Sequence, residues 1–154
     1  MVRDAEERDL DALIALLSDV QAIHAKALPD IFRSDLDADA AKGMFRETLG
    51  KQGHTVLVAE DAGQPVGYIW FEIFDRPANF YHHPRRAGYI HHIGVSASVR
   101  RQGFGRALVE ATRSRLADAG IDEVGVDYWA FNTRASQFFA SLGFEPQHHI
   151  AFAR

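Results

Sequence analysis

The sequence predicts an α/β fold of the mixed α+β kind: a central mixed, mostly antiparallel sheet with helices on both faces. Three observations predict it. Two β-branched, alternating runs, His54 to Glu60 and Val66 to Phe74, flank the turn Asp61 to Pro65 and read as a hairpin. The apolar run Tyr89 to Val95 leads through a glycine-containing turn into a helix-like run that reaches Ala119, and a further strand-like run follows. Two segments ahead of the hairpin carry apolar residues at helical spacing. Hairpins pair strands antiparallel and a helical crossover pairs them parallel, so the sheet is mixed.

The chain has 154 residues, 47% hydrophobic and 25% charged, with a formal net charge of −4 and no cysteine. Length and composition suit a single soluble domain over residues 1–154. The lack of cysteine removes disulfides, thiolate metal sites and a cysteine nucleophile. The acidic balance argues against a nucleic-acid binder. The N-terminal run MVRDAEERDLDALIALL lacks the apolar core of a signal peptide, and no run is long enough to span a membrane. A cytoplasmic protein without membrane attachment is expected.

Taken in order, Met1 to Asp4 reads as a short edge strand. Leu10, Leu13, Ile14, Leu16 and Leu17 predict a helix over residues 7–18, and Val20 to Leu28 either extends it or starts a second one before Pro29. Asp37 or Asp39 can cap a helix over residues 38–50, with Ala41, Met44, Phe45, Thr48 and Leu49 as its buried stripe. The hairpin follows. Asp75 to Ala87 holds two prolines, a basic pair and the aromatic pair Phe80 and Tyr81, and reads as a long loop. After the Tyr89–Val95 strand, a helix starts at Gln102 or Gly103 and stops at Gly120. Val124 to Trp129 reads as a strand, Asn132 or Thr133 caps a short helix ending near Leu142, and Phe144 to Arg154 reads as a closing strand or strand pair.

Strand, glycine-rich turn and helix N-terminus together suit a pyrophosphate. Unpaired amides point outward there and the helix dipole favours negative charge. Gly103 and Gly105 lack Cβ, so backbone can approach a ligand closely, and Arg101 and Arg106 add positive charge. The same residues also serve as a plain turn and a solvated helix start.

The run Arg100-Arg101-Gln102-Gly103-Phe104-Gly105 resembles the phosphate loop of the Gcn5-related N-acetyltransferases, and the run from Asn132 to Phe144 resembles that family's later signature of asparagine, alanine, aromatic pair and Leu-Gly-Phe. The resemblance implies the family's acyl-CoA N-acyltransferase fold, with acetyl-CoA as co-substrate; no metal is expected, since the chain has no helical HExxH and no cysteine. It places Ile93, Gly94 and Val95 along the pantetheine arm. Arg100, Arg101, Gln102, Gly103, Phe104, Gly105 and Arg106 fall around the pyrophosphate, and Asn132, Ser136 and Phe139 also reach the cofactor. Asn132 equally suits an N-cap.

Two positions depart from the family pattern. Where many members carry a tyrosine acid, this chain has Phe139; Tyr128 and Tyr89 are the alternatives. Where members carry carboxylates before the phosphate loop, it has His91 and His92. Histidine suits proton transfer at neutral pH. Strand alternation allows only one of the two to face the cleft, and the family position favours His91, with Glu72 as the carboxylate alternative. The paired histidines make poor chelates, since neighbours on a strand point apart. His24, Phe32, Phe80 and Tyr81 are the candidate acceptor-binding residues, and Arg85-Arg86 would suit an acidic acceptor. The function expected is acetyl transfer from acetyl-CoA to a primary amine of a small molecule or peptide, by direct attack in a ternary complex. The alternatives are a non-catalytic acyl-CoA sensor and a basic-loop binder of nucleic acid. The resemblance also admits a homodimer.

Overall fold

The computed structural model describes residues 1–153. Strand β1 (Val2–Asp4) precedes a short 3-10 turn at Glu7–Asp9 and helix α1 (Leu10–Ala27). Helix α2 (Ala38–Leu49) follows, then β2 (His54–Asp61), β3 (Gln64–Arg76) and β4 (Arg85–Val95). A 3-10 turn at Ala97–Val99 leads to α3 (Phe104–Asp118), then β5 (Val124–Val126) and α4 (Thr133–Ala140). The strands lie in sequence order, β1 to β4 antiparallel and β5 parallel to β4.

Helices cover both faces, as expected. On one face, Leu10, Leu13 and Leu16 of α1 and Phe45 of α2 pack on Val56, Val58 and Tyr68. Phe45 meets Tyr68 edge to face at 5.6 Å. On the other, Leu108, Val109 and Leu116 of α3 and Phe139 of α4 pack on Leu57, Ile69, Phe71 and Ile90. Each such fully buried side chain contributes about 1.5–3 kcal/mol by leaving water. At the sheet's first edge Arg3 bonds both Asp9 (2.7 Å) and Glu60 (2.6 Å).

Asp37 caps α2 by accepting from the Ala40 amide, as its side chain allows. Several boundaries differ from the sequence reading. Residues 7–9 form a 3-10 turn closed by the Glu6–Asp9 capping box, and α1 then runs unbroken to Ala27. The expected loop from Asp75 to Ala87 is shorter: β3 extends to Arg76 and β4 starts at Arg85, leaving residues 77–84 as the turn. Backbone pairing of Arg76 with Arg85 and Asp75 with Arg86 outweighs the local polar composition.

No closing strand forms over residues 144–153, and Arg154 lies outside the described residues. Strand β5 offers only three residues, and Pro146 has no N–H to donate to a ladder. Phe144 instead anchors the segment against Phe139 at 5.2 Å and under the Arg113 guanidinium at 5.0 Å.

Candidate active site

Strands β4 and β5 pair only at Gly88, Tyr89 and Ile90. Beyond that point β4 keeps its β3 partners, Trp70 to Gly67, while its other edge leaves β5. Backbone groups from Ile93 to Val95 therefore line a fork that opens towards the start of α3. At that start Gly103 is the cap residue at φ 90°, with no side-chain cap and no acidic residue in the first turn. Arg101 also takes a positive φ, 65°. Successive turns of this hand point amides into one concavity, which suits an anion. The amides of Phe104, Gly105 and Arg106 have no helical acceptor behind them.

The structure separates the roles of the loop residues. Gly103 has open space around its missing Cβ, so the positive φ is what needs glycine. Gly105 differs: a Cβ there would sit 3.2 Å from the Phe138 ring, so its small size lets α3 approach α4. Arg100 Nε donates to the Val95 carbonyl at 3.3 Å, tying the loop to β4. Arg101 and Gln102 are exposed, Phe104 packs on the core, and Arg106 lies 3.9 Å from Glu110. Asn132 caps α4 by accepting from the Ala135 amide at 3.0 Å, and the Ser136 hydroxyl donates to the Thr133 carbonyl. Phe139 is a core residue, stacked on Tyr128 at 5.7 Å with rings 7° apart.

His91 and His92 do not alternate, contrary to the sequence expectation. Trp70 pairs with His92 and Phe71 with Ile90, so His91 is the extra residue of a β-bulge. Both imidazoles lie against Trp70, His91 stacked at 4.5 Å and His92 edge-on at 5.0 Å. Ile90 and Ile93 stay in the opposite core. The bulge thus turns two histidines to the α1 face, beside the fork.

Their surroundings make them unlike. Burial lowers His92 from its ordinary value of 6.5 to about 4, so it is neutral at physiological pH. Its Nδ1 and the Tyr68 hydroxyl are buried without protein partners among the described residues. Burial also pushes the Tyr68 hydroxyl pKa up. His91 has Glu72 beside it: Nε2 lies 3.3 Å from Glu72 Oε1, too poorly aligned for a hydrogen bond. Catalytic contacts are often loose before substrate binds. His91 Nε2 is itself fully buried.

A residue not expected from the sequence joins them. His54 Nε2 lies 3.1 Å from Glu72 Oε2, and Trp70 Nε1 donates to His54 Nδ1 at 3.1 Å. Single-residue bulges make this meeting possible. One between Ala59 and Glu60 shifts the hairpin so that His54 faces Glu72, and the one at His91 brings that ring alongside. The turn residues alone put His54 opposite Phe71, so the signal was hidden by the bulge.

On the acceptor side, His24 and Phe32 come together at 5.0 Å, joined by Phe131 and Trp129 from the β5–α4 connection. His24 and Asp127 also act electrostatically on His92, which places this aromatic wall beside the histidines. Phe80 (95% exposed) and Tyr81 meet edge to face at the β3–β4 hairpin tip, held by an Asn79 turn. Arg85 and Arg86 pair with Glu123 and Asp75, so neither is a free cation for an acidic acceptor. The Tyr89 hydroxyl is pushed up to about 12 by burial and by Asp127, and stays protonated.

The sequence matches the acetyltransferase (GNAT) family over residues 17–144. The mycothiol acetyltransferase of Salinispora tropica is 32% identical over 90 residues, covering 58% of this chain and 28% of that protein. The curated relatives matched are all longer, and the chain spans 28% to 40% of their length. A point mutant of the BH1408 protein from Bacillus halodurans has the same fold at a TM-score of 0.94 and 27% identity, over 100% of this chain and 98% of that one. The fold is shared too by AAC(6')-Iy in complex with the bisubstrate analog CoA-S-monomethyl-acetylneamine, at a TM-score of 0.77 and 20% identity over 100% and 96% of the chains. With the family matched across most of its length, and the forked sheet and glycine turn in place, the chain belongs to the GNAT family of acetyltransferases.

Proposed function

We propose that the chain moves an acetyl group from acetyl-CoA to a primary amine by direct attack in a ternary complex. The observation that carries this reading is the fork between β4 and β5, opening onto the α3 N-terminus with the Glu72–His91 pair on its wall. The loop from Arg100 to Arg106 holds the pyrophosphate, and β4 amides at Ile93 to Val95 align the thioester and stabilise the developing oxyanion. Asn132 adds its amide nitrogen, with Ser136 alongside, while its oxygen caps α4.

The amine must lose a proton, since an ammonium of pKa about 10.4 has no lone pair. His91 takes that proton as general base, with Glu72 stabilising the imidazolium. His92, held neutral, is a polar neighbour and not the base. The new C–N bond forms as the C–S bond breaks, and the thiolate leaves with a pKa near that of a thiol, about 8.5. Phe139 cannot protonate it. Tyr128, stacked on Phe139, is the adjacent phenol and the candidate acid.

The acceptor is a small molecule or peptide carrying a primary amine. The aromatic wall of His24, Phe32, Trp129 and Phe131, with Asp127 acting on His92 beside it, favours a cationic amine over an acidic one. Names of similar proteins, mycothiol acetyltransferase and aminoglycoside acetyltransferase, fit a small-molecule amine. Absence of cysteine fits reaction in the reducing cytoplasm.

The test is calorimetric titration with acetyl-CoA, followed by thiol release with a panel of primary amines. Saturable binding and amine-dependent release support the reading. Binding without release from any amine favours an acyl-CoA sensor, and no binding removes both. Tyr128→Phe is expected to lower kcat while leaving acetyl-CoA affinity unchanged.

A further inference from the structure

Behind the Glu72–His91 pair stands a third polar side chain on another strand. His54 of β2 is 8% exposed, with Nε2 3.1 Å from Glu72 Oε2 and its ring stacked 5.9 Å from that of His91. Trp70 Nε1 lies 3.1 Å from His54 Nδ1. An indole N–H only donates, so His54 Nδ1 must accept. The single proton of the neutral ring is therefore on Nε2, the nitrogen 3.1 Å from Glu72 Oε2.

We propose that His54 is a positioning residue for acetyl transfer: the chain Trp70 to His54 to Glu72 fixes one carboxylate oxygen and leaves the other to orient His91. This rests on the reading of His91 as the base. The indole sets the tautomer of His54, the protonated Nε2 of His54 stands 3.1 Å from Glu72 Oε2, and Glu72 Oε1 lies 3.3 Å from His91 Nε2. When His91 Nδ1 takes the proton of the attacking amine, Nε2–H turns to Glu72 Oε1. The amine lone pair forms the C–N bond, the C–S pair leaves on sulfur, and neither Glu72 nor His54 gains a proton.

Titratable and aromatic groups surround His91. His54 is lowered below the ordinary histidine value, chiefly by burial, further by Lys51 and His91, and against the pull of Glu72. His92 from the same strand is neutral. Tyr89 packs edge-on at 5.2 Å and is protonated, and Trp70 covers the other side. His24 and Asp127 stand beyond His92.

The same three side chains offer ligand atoms within 4.8 Å of one another, the layout of a small cation site. The tautomer argues against it. A metal would need the Nε2 lone pair of His54, and Trp70 stabilises the form in which that nitrogen carries hydrogen.

The test uses His54→Phe, which keeps a ring and removes the donor, and His54→Gln, which retains an N–H for Glu72. Thiol release is measured against pH with a saturating amine, in parent and His91→Ala backgrounds. His54→Phe is expected to lower kcat by about 10- to 100-fold. KM for acetyl-CoA should stay unchanged. The acidic limb should move up by about half a pH unit as the freed carboxylate approaches His91. In the His91→Ala background the same substitution should change nothing, since coupled residues are non-additive. His54→Gln, with the parent's circular dichroism, should retain most of the rate.

Losses that multiply in the double variant, or an unmoved limb, would overturn the proposal. So would inhibition of the parent by micromolar zinc that His54→Phe abolishes, which would assign a cation site. Absence of thiol release from the parent with every amine would instead remove the underlying acetyl-transfer reading.

Discussion

Replacing His92 with phenylalanine should flatten the acid sensitivity of the fold. The imidazole is buried edge-on to Trp70 and Tyr68, with Nδ1 unpartnered among the described residues. Its pKa falls from 6.5 to about 4, mainly through burial, then through His91 and His24. A depressed folded value means that the unfolded chain takes up the proton first as pH falls. Stability from the neutral ring is therefore full above about pH 6.5 and is lost progressively down to about pH 4. The shift is worth about 3 kcal/mol in all, of which about 2 kcal/mol is lost between about pH 7 and about pH 5. That should lower the parent's urea midpoint by about 1 M over this interval. His92→Phe removes the titrating group and strands no protein partner. Urea unfolding of both proteins at matched pH checks it, because every other titration is shared and cancels. Equal slopes in parent and variant would refute the assignment of a buried neutral His92.

Other expectations concern the edges of the structure. Arg3→Met should destabilise by about 3–5 kcal/mol, because Asp9, 3% exposed, would keep its charge without its main partner. Chemical denaturation at neutral pH measures this. The Arg3 hydrogen bond holds the Asp9 carboxyl below 3.8, so its stabilisation is present at neutral pH and lost as pH falls through the folded value. Gly103→Ala meets no neighbour within 4 Å but must hold φ at 90°. It should cost about 1–2 kcal/mol of stability and weaken acetyl-CoA binding by calorimetry, because the loop relaxes out of its anion-binding turn.

Much of the fold was legible in the chain because local and tertiary signals agree. The β2–β3 hairpin, the β4–α3–β5 crossover and the caps at Asp37 and Asn132 follow from periodicity and side-chain chemistry. The closing strand was not, because a strand needs a partner edge and β5 is too short to give one. The site was legible in its residues but not in its geometry. Alternation correctly puts one residue in two on each face, yet a bulge inserts one residue and resets the count. That reset brings His91 and His92 to one side and sets His54 opposite Glu72. Nothing in the spacing of His54 points to the site, since its role comes from two displaced registers and an indole on the neighbouring strand. Arg85 and Arg86 show the reverse case. They stand out in the sequence, and ion pairs with Glu123 and Asp75 occupy them.

The most direct test of amine acetylation at the β4–β5 fork is the pH dependence of amine-stimulated thiol release from acetyl-CoA by the parent and by His91→Ala. The parent should show a rate that rises with pH through the titration of one histidine and then levels. His91→Ala should lose about 10²–10⁴-fold in kcat and that rise with it, while binding acetyl-CoA as the parent does. An unchanged profile in His91→Ala would contradict the account, as would a parent that binds acetyl-CoA and releases no thiol to any primary amine.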